Sequence, residues 1–100
     1  MLFRSLRSIE ASLSTASELE IGLMRLQQGR IEEATRRLQT AVKRDPQSAD
    51  ALNGLGLCLV RAGRVQQARQ EFKRACLANL YHPDAWNHWR ETGRGGASAR

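Results

Sequence analysis

Apolar residues return along this chain at helical intervals, and glycines and a proline interrupt them at regular places. Leu2, Leu6, Ile9 and Leu13 fall at i, i+4, i+7 and i+11 with Phe3 beside them, one helical stripe within residues 2–14. Leu19, Leu23 and Leu26 follow at i, i+4 and i+7, widened by Ile21 and Met24, and predict a helix over residues 16–28. Gly29 is placed to end it, because glycine accepts the left-handed conformation of a helix C-terminal cap. Ile31, Ala34, Leu38, Ala41 and Val42 share one face of a second helix. That helix must stop before Pro46, whose ring and missing N–H break the hydrogen-bond ladder. The pattern then predicts helices over 50–62 and 65–78 with Gly63 between them, and a further helix starting near Pro83, a residue suited to a first turn. This last helix is expected to fade by Gly93 and leave residues 93–100 as a glycine-rich, mobile tail.

These elements are copies of one another. The shift that lays Gly22 on Gly56 also lays Leu23 on Leu57, Gly29 on Gly63, Arg30 on Arg64, Ala34 on Ala68 and Ala41 on Ala75. Conservative pairs fill the gaps: Ile21 with Leu55, Leu26 with Val60, Ile31 with Val65, Leu38 with Phe72. The same shift carries Asp50, Ala51, Leu52 and Asn53 onto Asp84, Ala85, Trp86 and Asn87. A fixed period of this kind marks a stack of repeated units. Gly22 and Gly56 let a neighbouring backbone come close, the alanines fit where larger side chains would clash, and Leu38 and Phe72 supply the bulk opposite.

The pattern resembles the tetratricopeptide repeat, through Ile21-Gly22, Gly29, Ala34, Leu38, Ala41 and Pro46 in a first unit and Leu55-Gly56, Gly63, Ala68, Phe72 and Ala75 in a second. The spacing from Gly22 to Gly56 is also that family's period. Trp86 stands at the tryptophan position of a third, incomplete unit, and the resemblance covers residues 15–92. Glu18 and Arg25 replace the aromatics of the first unit, on a face that would meet water if no repeat precedes this one, and Leu80 replaces the second unit's proline. The resemblance implies an all-α, right-handed superhelix of antiparallel helix pairs. It divides the chain into an N-terminal amphipathic segment (1–14), two repeats (15–48 and 49–82), a capping helix (83–92) and the tail (93–100). It also implies a concave groove lined by the first helix of each pair: Leu19, Leu23 and Leu26 in the first unit, Asn53, Leu57 and Arg61 in the second, Asn87 and Glu91 in the cap. Such grooves hold extended or helical peptides of protein partners. Chaperone-tail binding, which uses a cationic carboxylate clamp, is not expected, because the matching positions carry Leu19, Leu23, Gly54, Asp84 and His88. An apolar groove edged by amides and acids suits an amphipathic helix laid in by its apolar face, unless the protein itself covers Leu19, Leu23 and Leu57.

The N-terminal stripe does not continue the repeat, since that register would put Arg4 and Arg7 at bulky and small packing positions. Two repeats are fewer than such arrays usually need, so Leu2, Phe3, Leu6, Ile9 and Leu13 are expected to cap the array, fill the groove or pair with a second copy. Composition fits a helical domain, with 41% apolar and 26% charged residues and only five aromatics in the hundred. The net charge of +6 is spread as +1, +1, +3 and +1 over residues 1–14, 15–48, 49–82 and 83–100, so no single basic block marks a nucleic-acid footprint.

No apolar run approaches the ~20 residues that span a bilayer. The Arg- and Ser-rich start faintly resembles an organelle transit peptide, but an ordinary amphipathic helix and a cytoplasmic location are the expectation. Cys58 and Cys76 lie on apolar stripes and read as buried, reduced thiols. His82 is expected in a turn and His88 on a helix surface, neither at a metal-ligand spacing. Tyr81, Trp86 and Trp89 are read as packing on the preceding helix. No nucleophile motif, phosphate loop or carboxylate pair calls for an enzyme or a cofactor.

The function read from the sequence is a protein-interaction module, an adaptor or scaffold. The alternative is a self-associating structural protein. Ranked lowest is an RNA-associated repeat using Arg36, Arg37, Lys43, Arg44, Lys73 and Arg74, a surface interrupted by Glu32, Glu33, Asp45 and Glu71. The packing pattern makes one direct prediction. Ala68→Leu is expected to overpack the second unit and cost about 1–3 kcal/mol, and an unchanged melting temperature would count against it.

Overall fold

The structure is a computed structural model that describes residues 18–98, with side chains to Gly93. The stripe of Leu2, Phe3, Leu6, Ile9 and Leu13 lies outside the described residues. Among the described residues five helices follow one another: α1, described over residues 18–27, α2 (Ile31–Arg44), α3 (Ala49–Arg61), α4 (Val65–Ala78) and α5 (Ala85–Ser98). Among the described residues there is no strand. α2 packs on α3, α3 on α4 and α4 on α5, with a smaller contact between α3 and α5.

Glycine ends the first helix of each pair. Gly29 and Gly63 take the left-handed conformation, with φ of 80° and 81°. The glycine N–H donates three residues back, Gly29 to Leu26 and Gly63 to Val60, each at 3.0 Å. The next N–H donates five residues back, Arg30 to Arg25 at 2.9 Å and Arg64 to Leu59 at 2.8 Å. Both pairs of bonds satisfy carbonyls that a helix end would otherwise leave open. The second helices end alike. Asp45 Oδ1 accepts from the Gln47 N–H at 3.2 Å, and Asn79 Oδ1 accepts from the Tyr81 N–H at 3.0 Å. This turn keeps its shape in the second unit although Leu80 has replaced the proline, because the side chain two residues earlier folds the backbone.

The helices of a pair cross where one has no side chain. A Cβ built on Gly22 would lie 2.7 Å from Leu38 Cγ, and one on Gly56 would run into the Phe72 ring. Leu38 and Phe72 are fully buried by this approach. Two cores join the units: Leu26, Ala34, Leu38, Leu55 and Cys58 between the first and second, and Ala49, Leu52, Ala75, Cys76 and Ala85 between the second unit and α5. Cys58 and Cys76 are free, buried thiols, as the stripes implied. Burial pushes both above the ordinary thiol range, at Cys58 against the smaller opposing effects of the Thr35 hydroxyl and the Arg61 charge.

α5 departs from expectation. It does not fade at Gly93: the helix continues to Ser98. Glycine in a helix costs only about 1 kcal/mol relative to alanine and leaves the ladder intact. The position that stops α1 and α3 is a glycine free to turn left-handed, and one repeat beyond Gly63 the chain carries Ala97. A Cβ at Gly93 would meet the Arg69 guanidinium, the far end of a flexible side chain that can shift to make room.

Gly56→Ala separates propensity from packing. Alanine gains up to about 1 kcal/mol as a helix former, but its methyl group must displace a buried ring, which costs about 1–3 kcal/mol. A net loss of stability is expected in urea unfolding. A variant as stable as the parent would show a looser crossing than described here.

Candidate functional site

The surface expected to meet a partner is carried by α1, α3 and α5. Leu19, Leu23 and Leu57 are half-buried and pack together on the first core. Leu23 reaches across to α3, its Cδ2 lying 2.9 Å from where a Cβ on Gly54 would stand. Leu26 corrects the sequence reading: at 6% exposure it belongs to the core with Ala34 and Leu38 and lines no open surface. The stripe of α1 is wide enough to serve two directions, and Leu26 points to the one that α2 closes.

Asn53 also sits deeper than expected, at 8% exposure. Its Oδ1 accepts from His88 Nδ1 at 2.8 Å, a bond between α3 and α5. An amide oxygen can only accept, so the ring proton is on Nδ1. His88 is accordingly half-buried, with its ring 5.3 Å from that of Phe72, and is not a free surface residue. Arg61, Asn87 and Glu91 are exposed along the same helices, Asn87 donating weakly to the Pro83 carbonyl at 3.4 Å. The face is thus a ledge of three partly covered leucines that passes into a polar strip at α5.

Glu18 and Arg25 do not face water as a pair. Arg37 Nη1 lies 3.3 Å from Glu18 Oε1, and Arg25 Nε lies 3.1 Å from Glu33 Oε1 without hydrogen-bond alignment. Each ties α1 to α2. On the outer helices Arg74 is likewise held by Glu71 at 3.0 Å. Such part-exposed pairs orient side chains more than they stabilise the fold.

His82 is the residue whose role sequence reasoning missed. It lies in the turn before α5, as expected, but it is 7% exposed. Its Nδ1 accepts from the N–H groups of Asp84 at 3.2 Å and Ala85 at 3.1 Å, and its Nε2 donates to Asp50 Oδ1 at 2.7 Å. One ring therefore caps the start of α5 and ties it to the start of α3. The signal was present in the register: one repeat earlier stands Ser48, whose hydroxyl accepts from the Ala51 N–H at 3.2 Å and caps α3.

The aromatics pack as expected in part. Trp89 lies against the second core, under the Arg69 guanidinium at 4.7 Å, and meets Trp86 edge-on at 6.1 Å. Trp86 donates from Nε1 to the Leu80 carbonyl at 2.9 Å but stays 39% exposed, and Tyr81 stands in solvent. Among the described residues no cluster of three or more His, Cys, Asp or Glu could hold a metal ion, and no helix is long and apolar enough to cross a membrane.

A family model described as tetratricopeptide repeat matches residues 19–86, which takes in both helix pairs and the first two residues of α5. The chain belongs to the tetratricopeptide repeat family. As a tetratricopeptide repeat protein it carries a non-catalytic fold whose general role is protein–protein contact. It is 37% identical over 93 aligned positions, covering 87% of this chain, to the cellulose synthase 2 operon protein C of Komagataeibacter xylinus. It is 33% identical over 67 positions, covering 67% of this chain, to the cellulose synthase 1 operon protein C of the same organism. The chain spans 7% of the length of the first relative and 5% of the second.

The histidine cap can be tested by substitution. His82→Ala removes the acceptor for two amides and is expected to cost about 1–2 kcal/mol, with faster hydrogen exchange at Asp84 and Ala85. His82→Ser should recover most of that loss by restoring the cap used at α3. Equal stability of all three proteins would show that the ring does not hold α5.

Proposed function

We propose that this tetratricopeptide repeat array is an adaptor that holds a helical or extended segment of a protein partner along the face of α1, α3 and α5. The observation that carries this reading is the ledge of Leu19, Leu23 and Leu57, which the described residues leave only half covered on the side the family uses for peptides. Arg61, Asn87 and Glu91 border it with both signs of charge, which suits orientation of a peptide more than capture of an acidic or basic one. The apolar centre supplies area and the polar border supplies register. The relatives are named for cellulose synthase operons, and on that similarity the partner belongs with the proteins of a cellulose-synthesising system. An RNA-binding role finds less support, since Arg37 and Arg74 on the outer helices are engaged by carboxylates.

Site-specific photo-crosslinking tests the face without disturbing the core. A photoreactive residue at position 61, 87 or 91 should yield a discrete crosslinked product in the native extract. The same residue at the exposed positions 36 and 70 on the second helices should not. Products from 36 and 70 alone would move the binding surface to the outer side and end the groove reading.

A further inference from the structure

A second surface follows from the internal repeat. α4 is seated on the preceding α2–α3 pair in a definite way: Ala75 and Cys76 share a core with Leu52, Val42 packs on its edge, and the Phe72 ring covers Gly56. Moving the seat on by one repeat replaces Val42, Leu52 and Gly56 by Cys76, Trp86 and Arg90. At that place an apolar pocket of about 220 Å³ opens between α4 and α5, lined by Lys73, Cys76, Leu77, Trp86 and Trp89. Leu52 is sealed at 1% exposure under its helix, whereas Trp86 is left at 39% and Leu77 at 68%. The hydrogen bond from Trp86 to the Leu80 carbonyl holds the indole in place, so one wall of the pocket is already formed.

Two residues set this seat apart from the one α4 fills. Gly63, whose left-handed turn folds α4 back onto α3, corresponds to Ala97, and the helix there runs straight on to Ser98. Gly56, which admits the Phe72 ring, corresponds to Arg90, an exposed cation with no ion pair among the described residues. A helix entering as α4 does would meet a guanidinium where Phe72 finds open space. Lys73 and Arg69 add positive charge on the α4 side.

We infer that the α4–α5 groove docks an amphipathic helix from a partner protein, one with small apolar residues where α4 has Ala75 and Cys76 and a carboxylate where α4 has Phe72. The small residues admit close approach over Cys76 and Trp86, and the carboxylate pairs with Arg90. This site is separate from the face of α1, α3 and α5, and it continues an interface the molecule already makes with itself.

The test uses the full chain and two synthetic helices. Both copy residues 64–79, are held helical by a side-chain lactam between solvent-facing positions 66 and 70, and contain no tryptophan. One carries Phe72→Glu, the other Phe72→Lys. Fluorescence of Trp86 and Trp89, the two tryptophans of the chain, reports binding. The parent protein should bind the glutamate peptide at least about tenfold more tightly than the lysine peptide. Arg90→Glu, a change at an exposed helical position, should reverse that order, and Trp86→Ala should weaken both. Equal binding of the two peptides, or no fluorescence change with either at millimolar concentration, would overturn the proposal. So would sedimentation showing that the protein alone dimerises and that Trp86→Ala returns it to monomer, because the occupant would then be a second copy. None of these results bears on crosslinks from positions 61, 87 and 91.

Discussion

A ring or isobutyl group laid into the gap above a glycine is the contact on which this molecule is organised. Leu38 over Gly22 and Phe72 over Gly56 bring each pair of helices closer than any side chain on the facing position would allow. That distance sets where Ala34, Ala41, Ala68 and Ala75 must be small, and so how the two cores close. It also fixes the direction of the first helices, and with it the alignment of Leu19, Leu23 and Leu57 on one side. Where the glycine is missing, at Arg90, the close crossing has no counterpart among the described residues.

Polar groups do a different job: they decide where each helix begins and ends. Ser48 and His82 start α3 and α5, Gly29 and Gly63 stop α1 and α3, and Asp45 and Asn79 fold the turns that leave α2 and α4. α2 carries acidic residues in its first turn and basic residues in its last, the arrangement its dipole favours. These contributions are small singly. Their value lies in removing alternatives, because a helix that starts one residue late would rotate its apolar stripe off the core.

The helix pairs, their glycine stops and the close crossings were legible in the sequence because each depends on residues a fixed distance apart along one chain. Leu26 was not, since a helical period shows that a stripe exists but not which edge of a wide stripe a neighbour covers. The bonds from Asn53 to His88 and from Asp50 to His82 join residues 35 and 32 positions apart, and no local pattern distinguishes a histidine about to be buried there from one left in water. The end of α5 is written in the repeat register. Gly93 looked like a stop by composition, whereas comparison with Gly29 and Gly63 places the stop at 97, where the chain has alanine.

Contacts among α2 to α5 run mainly between near neighbours, and from α2 the Val42 side chain reaches the core that α3 shares with α4 and α5. Stability in such a line is a sum of junctions, each able to open without its distant fellows. Under tension along the stack, the α2–α3 junction stands largely in series with the rest, whereas α3, α4 and α5 share load because His82 and His88 bond directly to α3. A protein of this build responds to pulling by lengthening in steps, as a compliant tether between whatever it joins.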